Sequence, residues 1–366
     1  MSAKVSKVVT QPNKVVTRER LLGNENRWRR HGEPTPAAAD EGVDDGVFGP
    51  GSVAWDVLLH PATIVFQTAA QSVLQFTYKP IYAGLRDWDP MSRKGRVGQL
   101  TLFDVFDRNQ RNSGIHAPMW LGDTDTAKRV ALHLARIHEK VAADLIDGGD
   151  PTLGGYAANS PRDSMWAALT ELHSMLWLYE GLSFRGGWFP RRLPAAKRDQ
   201  FIAEVAEYCK LFPAREEPLP TNMAELQALY RRDARLFGMP KSMQIIPETG
   251  QNYPQVVADS IRKNHHPSQF KVKVQMFLQR VVLRIPVLGV VSRKTHRSMG
   301  IGPWKGTALR TARYLLLPMI WFVQQPPVER YFMRMMWGPD AVKLIQLARE
   351  KQQAARHSAS AAHSKA

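Results

Sequence analysis

The chain has 366 residues, of which 44% are hydrophobic and 9% aromatic, and its formal net charge is +17. This length allows one large domain or two small ones, and the composition can build a substantial core. The positive charge favours contact with nucleic acid or anionic lipid and does not by itself separate these partners. Because Cys209 is the only cysteine, an intrachain disulfide and a thiolate-rich metal or iron–sulfur site are excluded.

Both ends of the chain are predicted to be disordered tails. Residues 1–50 form a polar segment that is first basic and then acidic and rich in Pro and Gly, which is typical of a flexible arm and linker. A second tail, 351–366, follows a helix that we expect to end near Arg349–Gln352. The sequence shows neither a secretory signal nor an apolar run of ~20 residues for a bilayer span, so we expect a cytoplasmic protein.

Between the tails, residues 51–350 have helical periodicity nearly throughout. The sequence therefore predicts an all-α fold, a single globular multi-helix domain. Strand-like alternation is limited to fragments such as FKVKVQMF (270–277). The most apolar run, YLLLPMIWFV (314–323), contains Pro318 and is only about half the length of a bilayer span, which indicates a core helix or an interfacial helix.

The first helical stretch with unusual chemistry is AKRVALHLARIHEKVAADLI (127–146). The apolar residues that share one face of this helix are Val130, Leu134, Ile137, Val141 and Leu145. His138 falls near the centre of that face, whereas His133 falls near Arg129 and Lys140 on the solvated side. An inward imidazole needs a hydrogen bond, a metal or a haem iron, and a hydrogen-bonded core histidine is the commonest of these outcomes.

Further along the chain, the region from Ile261 to Val328 contains no Asp or Glu, while Lys and Arg recur among aliphatic patches. This pattern suits a surface that lies against anionic lipid headgroups. It equally suits a solvated basic rim around ordinary core helices. Nucleic acid is a weaker alternative, because the region has no recognisable binding motif and is rich in apolar residues.

Five segments, in this order, resemble a known family: LLHPATIVFQ (58–67), FDRNQRNSGIHAPMWLGD (106–123), ARIHEKV (135–141), YAANSPRDSMW (156–166) and LPTNMAELQALY (219–230). The family is the catalytic domain shared by latex-clearing protein (bacterial rubber oxygenase) and the fungal mycophenolic-acid-pathway oxygenase MpaB. The resemblance covers about half of the chain, from Gly51 to Tyr230.

The resemblance implies an all-helical domain whose helices pack around a haem b pocket, in the style of a globin. It implies His138 as the proximal iron ligand and an oxygenase that uses O2 to oxidise a hydrophobic, isoprenoid or lipid-like substrate. Arg108 and Arg111 would anchor or gate the haem, with Asn112 beside it. The aromatic residues expected either to line an apolar channel or simply to pack in the core are Trp120, Trp166 and Trp177.

This sequence departs from the family pattern at two positions. Asn112 stands where the family commonly has threonine, and Ala168 stands where it commonly has histidine. His173, further along the same helix, is a candidate to fill the space of the missing histidine. These departures bear on oxygenase activity more than on haem binding, and they support an alternative function, a non-catalytic helical protein that binds lipid or a membrane.

Two further histidines are candidates for either a structural role or contact with a cofactor. His60 precedes Pro61, and we favour a structural role at a helix end over contact with a cofactor. His116 lies near Pro118 and either faces the pocket or is a turn residue, and nothing in the sequence ranks the first role above the second.

Overall fold

The computed structural model of the chain describes residues 44–264 and 282–363, together with residues 270, 273, 274 and 277 between them. The fold is all-α, as the periodicity predicts. Within the described residues, the only sheet pairs β1 (Ala142–Ala143) with β2 (Tyr156–Ala157) in antiparallel register. Residues 1–43 of the arm and linker predicted over 1–50 lie outside the described residues, as does half of the strand-like fragment 270–277.

The described part of the chain forms sixteen helices. They are α1 (Val53–Leu58), α2 (Pro61–Gln75), α3 (Lys79–Trp88), α4 (Pro90–Arg96), α5 (Leu102–Leu121), α6 (Thr124–His138), α7 (Pro161–Leu182), α8 (Ala195–Cys209), α9 (Met223–Arg232), α10 (Tyr253–Lys263), α11 (Arg284–Val290), α12 (Arg293–Ser298), α13 (Pro303–Leu315), α14 (Leu317–Val323), α15 (Pro326–Met336) and α16 (Pro339–His363). No helix among these described segments is both long enough and apolar enough to cross a bilayer.

Side-chain caps fix where several helices begin. Thr101 and Asp104 form a capping box at the start of α5, which satisfies two of the free amide groups at that end. His60 caps α2, because its Nδ1 accepts from the amide of Ala62 at 3.1 Å. The structural role preferred for His60 is therefore present, although it starts a helix instead of ending one.

The core is built around α7, which is buried on most of its circumference and packs along α2 and α8. Trp120 and Trp166 are fully buried in this core, and Cys209 is a free, buried thiol, as the sequence predicts. Helix α11 approaches the end of α7 so closely that a Cβ at Gly181 would overlap the side chain of Val290. Position 181 must therefore be glycine for these two helices to pack.

Both predicted tails differ from expectation where they meet the domain. Residues 44–50, predicted as part of the linker, contact the helical body, and Phe48 is buried and stacked on Tyr208. Helix α16 extends to His363, beyond the end predicted near 349–352. Gln352 and Arg356 both donate to the carboxylate of Asp56 at 2.5 Å, so the first turns of the predicted C-terminal tail are held on α1.

The contact of residues 44–50 gives a test with an internal control. Gly46 and Gly51 both have positive φ, at 76° and 86°, where any other residue costs roughly 1–2 kcal/mol. A Cβ at Gly46 would also overlap the carbonyl of Gly122, while a Cβ at Gly51 meets nothing within 4 Å. We expect Gly46→Ala to lower the free energy of urea unfolding by at least about 1 kcal/mol more than Gly51→Ala. Equal losses in the two variants would show that the segment does not pack on α6.

Candidate functional site

His138 is the last residue of α6. Asn159 supports this helix end, because its side-chain amide donates to the carbonyl of Ala135 at 2.8 Å. The helical wheel drawn through residue 145 is therefore wrong beyond His138, where the chain turns into β1. Ile137, placed on the inward face by that wheel, is 45% exposed, while Val130, two turns further back in the predicted stripe, is buried.

The His138 ring is half-buried. Its pKa is lowered, first by burial and then by the positive charge of Arg108, so the neutral imidazole is favoured at neutral pH. Neither ring nitrogen hydrogen-bonds to another described residue, which separates His138 from the usual hydrogen-bonded core histidine. A neutral imidazole with a free lone pair is the form that binds a metal ion.

Arg108 holds its position through two contacts. Its Nε donates to the buried carboxylate of Asp89 at 2.9 Å, and its Nη1 donates to the side-chain oxygen of Asn112 at 3.4 Å. Arg111, one turn along α5, forms an ion pair with Asp107 at 2.8 Å. Of the two arginines predicted at the site, Arg108 is thus the one whose charge acts on His138.

A seam of side-chain amides continues from Arg108 into the core. Asn112 donates to Oε1 of Gln71 at 2.9 Å, and Gln67 donates to the same oxygen at 2.8 Å. Because the two glutamines belong to α2 and Asn112 to α5, the seam joins these two helices. Each buried amide is satisfied by the next one, which avoids the cost of an unpaired polar group.

The seam ends at His116, for which the sequence leaves open a pocket-facing or a turn position. His116 is buried in the middle of α5 and stacks on Trp120 with ring centroids 5.0 Å apart. Its Nδ1 lies 3.4 Å from Nε2 of Gln67, and its Nε2 lies 3.2 Å from Oε2 of Glu171 on α7. With the Gln67 amide as donor, His116 is the Nε2-protonated tautomer and donates to Glu171. Among the described residues, Oε1 of Glu171 is buried without a hydrogen-bond partner.

His173 is engaged by protein groups. The Trp177 indole N–H donates to Nε2 of His173 at 3.1 Å, so Nδ1 carries the proton and donates to the Tyr230 hydroxyl at 3.1 Å. Burial, and then the charge of Arg198, lowers the pKa of His173 to about 3. Both nitrogens of His173 are therefore occupied by protein groups in this arrangement. Its predicted role in the space of the family histidine at position 168 stays a prediction.

The three tryptophans predicted as a channel lining belong to different surroundings. Trp166 donates to Asp233 at 2.7 Å and packs against Tyr230, and Trp120 packs in the core with Trp337. A cleft of about 680 Å³ lies beyond β1 and β2, with Tyr156, Arg162 and Glu217 in its lining. His138, Arg108 and Asn112 are not among the residues that line it. For Trp120 and Trp166, core packing is the role that the structure gives.

The low pKa of His173 predicts a pH dependence of stability. The unfolded chain binds a proton on this side chain near pH 6.5, whereas the folded protein does so near pH 3. Stability from the neutral ring is therefore complete above pH 6.5 and is lost as the pH falls towards 3, with a limiting slope of about 1.4 kcal/mol per pH unit.

We expect His173→Gln, which keeps hydrogen-bonding capacity and cannot titrate, to lose less unfolding free energy than the parent between pH 6 and pH 4. Urea unfolding at several pH values measures both slopes. The difference between the two proteins at pH 8 reports the altered hydrogen bonds alone and serves as the control. Parallel slopes below pH 6 would contradict the assignment.

Comparison with known proteins places this site in a wider context. Residues 55–324 match the family model described as ER-bound oxygenase mpaB/B′/rubber oxygenase, catalytic domain. The match spans most of the chain and extends well beyond Tyr230, where the resemblance in the sequence ended. No curated protein and no solved structure shows significant similarity to the chain. The helical domain that carries His138, Arg108 and Asn112 belongs to the family of mpaB and rubber oxygenase catalytic domains.

Proposed function

We propose that the protein is a haem-b-dependent oxygenase that acts with O2 on a hydrophobic, isoprenoid or lipid-like substrate, with His138 as the proximal iron ligand. The observation that carries the proposal is the state of His138 within an oxygenase-family domain. Burial and the charge of Arg108 lower its pKa, and no described residue hydrogen-bonds to its ring.

The residues around His138 fit a haem by their chemistry. One neutral imidazole is sufficient to hold a haem iron from one side, and the anionic propionates need a cation nearby. Arg108 supplies that cation, and Asp89 and Asn112 hold its guanidinium from two sides. When bound, a haem supplies the iron centre at which O2 is activated.

The other predicted site residues take supporting roles in this proposal. Asn112 orients Arg108 by accepting from its guanidinium, and its own amide donates to Gln71. Arg111 is balanced by Asp107 and contributes a second positive charge on the same helix. Ala168, where the family commonly has histidine, is a buried residue of α7. The chemistry on the open side of the iron would therefore have to proceed without a histidine at this position.

The central test is the visible spectrum of the protein expressed with ample haem. We expect a Soret band in the parent protein and its loss in His138→Ala, because the iron then has no protein ligand. His133→Ala is the matched control, since it removes an imidazole from the same helix and should leave the band in place. A colourless parent protein, or a Soret band that survives in His138→Ala, would overturn the proposal.

The two arginines of α5 give a second test. We expect Arg108→Gln to weaken haem binding by about tenfold, the size of effect expected for a charged hydrogen bond. Arg108→Lys keeps the positive charge and should recover part of that affinity, whereas Arg111→Gln should have a smaller effect. Haem titration followed at the Soret band measures the affinities, and thermal unfolding checks that each variant is folded. Equal effects of Arg108→Gln and Arg111→Gln would remove Arg108 from its assigned role.

A second candidate, a non-catalytic helical protein that binds lipid, is favoured by Ala168 and by the engaged nitrogens of His173. It predicts a protein that binds no haem and consumes no O2. The Soret measurement on the parent protein therefore separates the two candidates.

A further inference from the structure

Helix α13 turns a stripe of apolar and neutral side chains to solvent. Trp304, Ala308, Thr311 and Leu315 share one side of the helix by their spacing, and Trp304 is 90% exposed and Leu315 77% exposed. The side that includes Gly306 is packed, since a Cβ there would lie 2.7 Å from Nδ1 of His296. The orientation of α13 is thus fixed by packing, and its large apolar side chains remain on the outside.

The next helix repeats this arrangement. In α14, Leu317, Ile320 and Val323 are buried, whereas Trp321 and Phe322 are exposed. We call Trp304, Leu315, Trp321 and Phe322 the apolar face. Exposed aromatic and aliphatic side chains on consecutive helices are unusual on a surface that meets only water, and such surfaces mark contacts with a protein or a membrane.

A third exposed element, the loop 183–194, starts beside the end of α14. The Gln324 side chain donates to the carbonyl of Leu182 at 2.9 Å, which ties this end of α14 to the last residue of α7, directly before the loop. Trp188 and Phe189 at the centre of the loop are both exposed.

The same loop carries a small cationic cleft. Arg185, Arg191 and Arg192 line it together with Phe189, and its volume is about 200 Å³. Guanidinium groups bind phosphate oxygens through paired N–H donors. Three of them around one cleft, next to an exposed aromatic ring, suit the phosphate of a lipid headgroup.

The stretch of sequence that carries the apolar face has charges of only one sign. The sequence from Ile261 to Val328 contains no Asp or Glu. Lys305 on α13 and Arg293, Lys294 and Arg297 on α12 are exposed. A basic surface next to exposed Trp, Phe and Leu is complementary to anionic headgroups above an apolar interior, and Trp is favoured at that boundary.

We propose that the apolar face and the loop 183–194 dock this protein on the surface of an anionic phospholipid bilayer. Trp304, Leu315, Trp321 and Phe322 enter the headgroup region, and the arginine cleft binds a lipid phosphate. A second copy of the chain fits this surface less well, because it would bring an equally basic surface against the first. The proposal goes beyond the haem chemistry and does not depend on it.

The test is sedimentation of the full-length protein with vesicles. We expect binding to vesicles of phosphatidylcholine mixed with phosphatidylglycerol, weak binding to phosphatidylcholine alone, and weaker binding at about 1 M than at about 0.1 M salt, because the Debye length falls from ~10 to ~3 Å. The double variant Trp304→Ser with Leu315→Ser should lower the affinity for anionic vesicles by at least about tenfold. Leu132→Ser, which alters an exposed leucine on α6, is the control and should bind as the parent does.

The arginine cleft has its own variant. Arg191→Gln with Arg192→Gln should weaken binding to anionic vesicles and reduce its salt dependence. Lys128→Gln with Lys241→Gln removes the same charge from exposed positions elsewhere and should have a smaller effect. Circular dichroism and thermal unfolding confirm that each variant is folded.

Three results would overturn the proposal. One is equal vesicle binding by the parent and the Trp304/Leu315 variant. Another is a parent protein that does not bind vesicles but forms a dimer, detected by light scattering, which the Trp304/Leu315 variant does not form. That result would assign the apolar face to a second copy. The third is saturable binding of inorganic phosphate, lost in the Arg191/Arg192 variant, without any vesicle binding. None of these measurements requires haem, so their outcome is independent of the Soret test.

Discussion

The position of the candidate site depends on the hydrogen-bonded seam between α2, α5 and α7. Gln67 and Gln71 on α2 must meet Asn112 and His116 on α5, and His116 must meet Glu171 on α7. Buried amides tolerate little displacement, because each unpaired donor or acceptor costs about 1–3 kcal/mol. A shift of α2 along α5 by one turn would break several of these bonds at once. The seam therefore acts as a register for the helices.

The alignment of α2 and α5 also determines the position of Arg108. Arg108 lies one turn before Asn112 on α5, at the outer end of the seam. There its guanidinium donates to both Asn112 and Asp89. Since helix positions three or four residues apart share a face, the helix that presents Asn112 to Gln71 also presents Arg108 on the adjoining stretch of that face. From the end of α6, His138 is close enough for the charge of Arg108 to lower the pKa of its imidazole. The core polar network and the candidate cofactor site are thus parts of one continuous arrangement.

The sequence could predict the features that are local. Helical periodicity gives the all-α class, and His60-Pro61 marks a helix boundary. The single cysteine, Cys209, is a buried free thiol. The failures are contacts over long distances in sequence. Glu204 on α8 accepts from the amides of Val53 and Ala54 at 3.2 and 2.6 Å, and nothing in the sequence of either segment indicates the other.

The helical wheel through residues 127–146 failed for a related reason. A wheel assumes that the helix continues, yet α6 ends at His138 because the chain turns to pair β1 with β2. The apolar Val141 then lies beyond the helix. Its Cγ1 is 3.3 Å from the position that a Cβ would have at Gly84 on α3. The role of His138 as an iron ligand stays a prediction, and its half-buried position is that of a helix end, not of an inward stripe that continues to residue 145.

The departures from the family pattern also have a place in the seam. Ala168 and Glu171 are three residues apart on α7 and so share a face of this helix. In this chain, that face meets the imidazole of His116, which comes from α5 and is held by Gln67 and Glu171. An imidazole is thus present along the same stretch of α7, but its Nε2–H is committed to a carboxylate. The two histidines are therefore in different chemical states. Among the described residues, none hydrogen-bonds to the ring of His138, whereas His116 is buried between Gln67 and Glu171. The proposed iron ligand is therefore the histidine that the core network leaves out.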